Sequence, residues 1–413
     1  MPVVALATAF SAVSGYIILL MAARTLGAVR YDVFAVYWAA FFALTTIVNG
    51  VAFEVTRALR SQPETAPAAG SPATWPAAVG AMLGLALAGI MAAGAFWWAP
   101  VVAGSGGLSA IALLITGAVM STMQAVMVGA LSGTGSWTLY GVLLGGDALV
   151  RLLVAVTVIA VGASPGGLYL ATVSGSIMWV ILVALSSRSR WAFRLRIASP
   201  LWKFVRRCVG VMFASTAMAI MLVGFPILLK WAFHDEPSAL VGTLILAVTL
   251  TRAPLLVPLT FFNTAILVYF IDRLARGPRV LVRPLGVLAV ATAVFAFGTY
   301  FVGPPLLAMM GEGFTIDGAV LAALVVGAGA TAGLFVTGPA VLARDRHTLY
   351  ATGWWVSVIV AVGILAGWPL EPGLRTATAL IVGPLAGMAC HAAGVVMRGR
   401  PATADPEAPG LLA

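Results

Sequence analysis

Apolar stretches of some twenty residues follow one another along the whole chain, separated by short segments rich in glycine, proline and charge. A helix rises about 1.5 Å per residue, so about 20 residues cross a hydrocarbon core about 30 Å thick. Reading the apolar runs against their breakers predicts twelve spans, at 2–23, 33–55, 76–98, 107–131, 138–161, 166–186, 208–229, 239–271, 284–302, 317–342, 348–368 and 374–397. The eighth run would make a straight helix of about 50 Å, longer than one crossing needs. Pro254 and Pro258 lie inside it, so a kink or break is expected there. The first run continues to Ala23 without a basic leader, and reads as a membrane helix rather than a cleaved signal.

Composition agrees with this pattern. Of 413 residues, 62% are hydrophobic and only 9% are charged, where a soluble domain carries about 25%. No polar stretch is long enough for a soluble catalytic domain. Cys208 and Cys390 offer neither a metal-ligand spacing nor a disulfide framework, and read as free thiols. No metalloprotease, P-loop or nucleophile-elbow motif stands in a fitting context, so neither an enzyme nor a cofactor is expected.

The net charge of +10 raises nucleic acid as a partner, but its placement points to lipid. With the N-terminus in the cytoplasm, seventeen of the 23 Lys and Arg residues fall at inside-facing ends. They are Arg57, Arg60, seven within 188–207, Arg273, Arg276, Arg279, Arg283, Arg344, Arg346, Arg398 and Arg400. Only Arg24, Arg30, Lys230 and Arg375 fall outside. This asymmetry follows the positive-inside rule. It predicts a multi-pass protein of a bacterial cell membrane, with both termini cytoplasmic, contact with membrane lipids and no nucleic-acid partner.

The basic stretch divides the chain into a lobe at 1–187, a linker at 188–207, a second lobe at 208–397 and a tail at 398–413. The linker mixes Arg with Trp, Leu and Phe, and is expected to lie partly along the membrane surface. The tail, with PATADPEAPG, is expected to be disordered. Thr138-Leu139-Tyr140 recurs 210 residues later as Thr348-Leu349-Tyr350, each opening a span after a short polar link. Six spans is an even number, so the two halves share one membrane orientation and form a parallel repeat. The fold class expected is therefore all-α integral membrane, with about twelve helices in two parallel six-helix lobes around a central cavity. The glycine pairs 80/84, 141/145 and 383/387 mark close helix contacts.

Charges inside spans are costly, and each needs an account. Asp147 and Arg151 are four apart on one helix face. They read either as a self-neutralising pair or as a cavity lining in which Arg151 meets an anion. Glu54 and Arg57, three apart, pair locally at a span end or act at the cavity mouth. Arg24 either caps a helix end or guards the other mouth. Arg252, in LTRAPLLVP, has no acidic neighbour on its own span. Its donors are expected to meet carbonyls freed by Pro254, to snorkel toward the interface, to pair with Asp147 or Glu54 across the cavity, or to meet a substrate anion.

Residues 6–60 resemble the opening of a polysaccharide-biosynthesis (Wzx-like) flippase of the multidrug/oligosaccharidyl-lipid/polysaccharide (MOP) exporter superfamily. The resemblance rests on Leu26-Gly27, Tyr31 and Arg57, with Asp32 where a Gly usually follows the Tyr. It extends more weakly through all twelve spans. It implies a membrane transporter that flips a lipid-linked oligosaccharide, carried on polyprenyl pyrophosphate, from the cytoplasmic to the outer leaflet. Arg252 and Arg151 would then meet the pyrophosphate or acidic sugars, with Arg24 and Arg57 at the mouths. Other polysaccharide-assembly proteins are expected partners. The rivals are a drug or small-molecule exporter of the same superfamily, an integral-membrane polymerase or glycosyltransferase, and a non-transporting partner in polymer assembly. A cation exporter calls for acidic residues deep in the spans, whereas the deep charges Asp147, Arg151 and Arg252 sum to positive.

Overall fold

The computed structural model of the protein describes residues 2–61, 73–162, 164–271, 280–344 and 346–396. The predicted inside charges Arg273, Arg276, Arg279, Arg398 and Arg400, and the tail, lie outside the described residues.

The chain begins with α1 (Pro2–Arg60), 59 residues long. As one straight rod it would extend about 90 Å, three bilayer cores. It is instead two spans meeting at Gly27, whose φ of 65° and ψ of 170° lie outside helical space. The loop expected at 24–32 is thus a one-residue kink with helix on both sides. A short strand β1 (Ala73–Thr74) leads into α2 (Pro76–Ala93), and Gly94 separates this from α3 (Ala95–Val102). The first half then runs through α4 (Gly107–Gly133), α5 (Trp137–Gly162), α6 (Pro165–Ser174) and α7 (Met178–Leu185). A 3-10 turn at Gly175–Ile177 joins the last two into one span.

The connector holds α8 (Ser187–Phe193) and β2 (Ile197–Ala198), which pairs antiparallel with β1. Trp75 Nε1–H donates to the Phe193 carbonyl at 2.9 Å, and the Thr74 hydroxyl donates to the Ser199 carbonyl at 2.6 Å. The connector is therefore pinned to the start of the third span. Next comes α9 (Leu201–Leu222), which begins seven residues before the predicted 208. Pro200 fixes its start, and Lys203, Arg206 and Arg207 ride on its first two turns rather than in a loop.

The second half continues with α10 (Phe225–Ala232), α11 (Ser238–Ile271), α12 (Val282–Ala308), α13 (Gly318–Leu342), α14 (His347–Gly367) and α15 (Pro372–Val396). Of the kink or break expected there, the break is absent: α11 is helical through Pro254 and Pro258. α5 and α14 both open on the repeated Thr-Leu-Tyr. Eleven described helical segments are long and apolar enough to cross a membrane, and α1 supplies two crossings. The protein is therefore all-α and integral to the membrane, with two lobes of six spans each.

Small residues allow the helices to approach. A Cβ on Gly80 would enter Val126 of α4, one on Gly141 would meet Val3 of α1, and one on Gly387 would meet the Gly353 carbonyl of α14. Between the lobes, α1 packs on α9, α10 and α11. The largest apolar cluster is continuous across that contact. It joins Ile18, Ala22 and Tyr31 to Met221, Leu229, Val241 and Phe314. This weld sits at the level of Gly27, called here the kink side; the opposite end is the linker side. There the Ala28 amide donates to the Glu312 carbonyl at 3.1 Å, and Gly242 passes against the Ala28 carbonyl.

Gly27 and Gly242 are needed for different reasons. Gly27 has room for a Cβ, whose nearest neighbour would be 3.6 Å away, but its dihedrals suit glycine alone. Gly242 has no room. Gly27→Ala is expected to cost about 1–3 kcal/mol from strain, and Gly242→Ala about 1–3 kcal/mol from overpacking. Both should lower the thermal midpoint of the purified protein in detergent. Gly89→Ala, which meets open space on α2, should not lower it.

Candidate functional site

Below the weld lies a cavity of ≈ 610 Å³ between the lobes, within the usual range of ligand pockets. The first half lines it from α1 and α5, and the second half from α9, α11, α13 and the α9–α10 junction. It reaches from Leu19, Tyr31 and Ile245 beneath the weld toward Thr8, Thr46 and Val257 on the linker side. Aromatic faces of Trp38, Phe42 and Phe335 alternate with hydroxyls of Ser11, Ser14, Tyr16 and Thr249. Among the described residues no carboxylate lines the wall, and the charged ones that do are Arg151 and Arg252.

The two arginines are held in different ways. Arg151 is 5% exposed. Its Nη2 donates to both oxygens of Asp147, at 2.9 and 2.8 Å, and its Nη1 donates to the Thr172 carbonyl. The i, i+4 spacing on α5 produces the ion pair. Gly175, in the α6–α7 turn, makes room for it, since a Cβ there would collide with Asp147 Oδ1 and Arg151 Nη2. The guanidinium carbon also lies 4.7 Å from the Phe42 ring centroid and 5.2 Å from that of Phe41. Gln124 Nε2 donates to Asp147 Oδ1 at 3.2 Å, completing a neutral assembly within the first lobe.

Arg252 is also 5% exposed, but among the described residues no carboxylate lies within ion-pair distance. Its Nη1 donates to the carbonyls of Met221 at 2.9 Å and Leu222 at 3.4 Å. These are the last carbonyls of α9, left without helical donors where the chain breaks before Phe225. A cation suits that helix end, and the Phe225 ring adds a face at 4.9 Å. The donors therefore go to the end of α9, not to carbonyls freed by Pro254, nor to Asp147 or Glu54. Nε and Nη2 remain buried with no hydrogen-bond partner. Ser14 Oγ and Tyr31 Oη, both on cavity-lining residues, are likewise unpartnered.

The other charges proposed from sequence do not line the cavity. Arg24 is exposed beside the kink. Glu54 is 4% exposed and binds Arg57 through Nε at 2.7 Å and Nη2 at 2.5 Å. Arg57 is half-exposed, and Glu54 also meets Arg207 of α9 at 3.9 Å. Sequence reasoning missed one pair. Asp32, fully buried on α1, receives Lys230 Nζ of α10 at 2.5 Å and the Val33 amide at 2.6 Å. The available signal was Asp32 itself, a lone carboxylate in the aromatic run Tyr31 to Phe42.

The two-lobed fold is similar to that of solved transporters of the MOP superfamily. A multidrug resistance MATE family transporter in its inward-facing conformation matches with a TM-score of 0.72, at 12% identity over 94% of each chain. A MOP superfamily transporter from Pyrococcus furiosus, described as having a binding pocket of reversed polarity, matches at 0.62 and 12% identity, again over 94% of each chain. No known family profile matches the chain. Two Mycobacterium tuberculosis proteins do match along almost its whole length. Rv3630 is 36% identical over 386 residues, covering 93% of this chain and 89% of its own. Rv1510 is 35% identical over 393 residues, covering 95% and 90%. The chain belongs to the protein family that these two mycobacterial proteins represent.

Asp147 neutralises Arg151, so its loss should be felt through the charge it leaves behind. Asp147→Asn is expected to destabilise the protein by about 3–5 kcal/mol, the range for breaking a buried pair. The double variant Asp147→Asn/Arg151→Met should be more stable than Asp147→Asn alone, because no unpaired cation remains. Thermal unfolding of the three proteins in one detergent checks the order.

Proposed function

We propose that this protein is a membrane transporter that flips an anionic amphiphile, a lipid-linked oligosaccharide, by alternating exposure of the cavity between its lobes. The observation that carries this reading is Arg252: a buried cation on the cavity wall, with two nitrogens unpartnered and, among the described residues, no carboxylate to neutralise it. Such a group is unfavourable in an empty protein and favourable once an anion occupies the cavity. A phosphate or acidic sugar supplies the missing acceptors, and neighbouring hydroxyls and aromatic faces suit a glycan. A cavity of ≈ 610 Å³ accommodates a head group, so the lipid tail stays in the bilayer.

A cationic-drug exporter of the same fold is the second reading, and the drug-resistance transporter among the structural relatives speaks for it. The polarity of this cavity speaks against it. Asp147, next to the wall residue Ala148, is already neutralised by Arg151. In this proposal the basic linker faces the cytoplasm, where anionic headgroups favour it, and loading occurs from that side. Flipping requires no covalent step.

Arg252→Met separates a transport role from a structural one. Removing an uncompensated buried charge should leave the thermal midpoint unchanged or higher. Export of surface saccharide should fall at least about tenfold, equivalent to 1.4 kcal/mol, with accumulation of the lipid-linked precursor. Arg252→Lys should retain part of the export. Normal export by Arg252→Met would remove Arg252 from the mechanism. If deleting the gene leaves every lipid-linked glycan unchanged but sensitises cells to cationic drugs, the exporter reading replaces this one.

A further inference from the structure

Charge pairs within a lobe and between lobes differ in kind. Asp147–Arg151 and Glu54–Arg57 each lie on one helix, so no movement of one lobe against the other separates them. Asp32–Lys230 joins α1 of the first lobe to α10 of the second at 2.5 Å. Each partner stands next to the cavity wall. Tyr31, which precedes Asp32, lines the cavity. Pro226, which lines it too, is one turn before Lys230 on the same face of α10. The pair therefore sits between the cavity and the kink-side surface. Around it the closure is made of backbone and apolar contacts: Ala28 on Glu312 and Gly242, and Phe314 edge-on to Tyr31 at a centroid distance of 5.7 Å.

We propose that Asp32 and Lys230 form the latch that holds the kink-side mouth of the cavity shut, and that the two must separate each time this mouth opens. A buried ion pair contributes little net stability against an apolar pair of similar volume, and its best-attested use is to specify one arrangement over another. The exposures fit a pair made to part. Asp32 is fully buried while the Lys230 side chain is 21% exposed, so water already reaches the lysine and can follow it to the carboxylate. Once separated, both groups are rehydrated, which offsets the lost attraction. At the far end of the same span, a second inter-lobe pair, Arg207–Glu54, is longer at 3.9 Å and its arginine is 44% exposed. Among the described residues, the shorter and more buried of these two inter-lobe pairs is thus the one on the kink side.

This inference rests on the transporter reading, but its test needs no cargo, so the two fail separately. Cys208 and Cys390 are first replaced by Ala, and Thr249→Cys, on the cavity wall, serves as reporter. The full-length protein is placed in sealed vesicles and labelled with a membrane-impermeant maleimide from each side. With the latch intact, labelling is expected from the linker side and not from the kink side. Lys230→Met and Asp32→Asn should each raise the kink-side rate at least tenfold, and combining them should add little further. Lys230→Arg, which keeps the pair, should keep the mouth closed. Thermal midpoints and linker-side labelling check that each variant is folded. Unchanged kink-side labelling in folded Lys230→Met and Asp32→Asn overturns the proposal. So does failure of both variants to fold, since the pair would then be a folding element and not a latch.

Discussion

In a bilayer, a charge that leaves water must find its partners inside the protein, and the arrangement of these two lobes follows from how each charge does so. The first lobe closes its account locally. Asp147, Arg151, Gln124 and the Thr172 carbonyl form one neutral unit, and the α6–α7 turn is shaped around it at Gly175. The second lobe does not. It places Arg252 against the broken end of α9, where two carbonyls take one nitrogen and nothing takes the others. Because α9 stops there and α10 restarts two residues later, the break, the arginine and the cavity wall form one feature.

Much of this fold was legible because the membrane imposes a strong rule on sequence. Twelve crossings, two like-oriented halves and the partners of Arg57 and Arg151 follow from run length, parity and i, i+3 or i+4 spacing. What could not be read were places where one residue acts through a distant contact. The Leu26-Gly27 turn looked like the start of a loop, because nothing local shows that Glu312 and Gly242 support α1 on both sides of the kink. Pro254 and Pro258 looked like a break, but α11 is buried among neighbours along its first half and stays helical through both. Lys203, Arg206 and Arg207 looked like a loop because charge density was taken as the end of a span, although the helix starts after Pro200.

The site divides in the same way. Arg252 and Arg151 stand on the cavity wall, and their sequence signal was charge inside an apolar run. Arg24 carried the same signal but lies at the kink, exposed, where water rather than protein supports it. Asp32 carried a weaker one, since its partner is 198 positions away. Residue type at a span end does not distinguish a solvated charge from a buried one. Only the fold does.

The two unusual charges have complementary positions. Asp32–Lys230 ties the lobes on the kink side of the cavity, and Arg252 stands on the cavity wall, where the proposed function places an anion. An anion bound at Arg252 contacts the second lobe next to the α9–α10 break, and α10 is the short helix that carries Lys230. α10 is only eight residues long and joins α9 through Val223 and Gly224. In the proposed mechanism, a shift of the α9 end that accommodates cargo would reach Lys230 over one helical turn from Pro226. In the proposed mechanism the cavity and its closure share α10 and α1, which is a physical route by which occupancy would bear on opening.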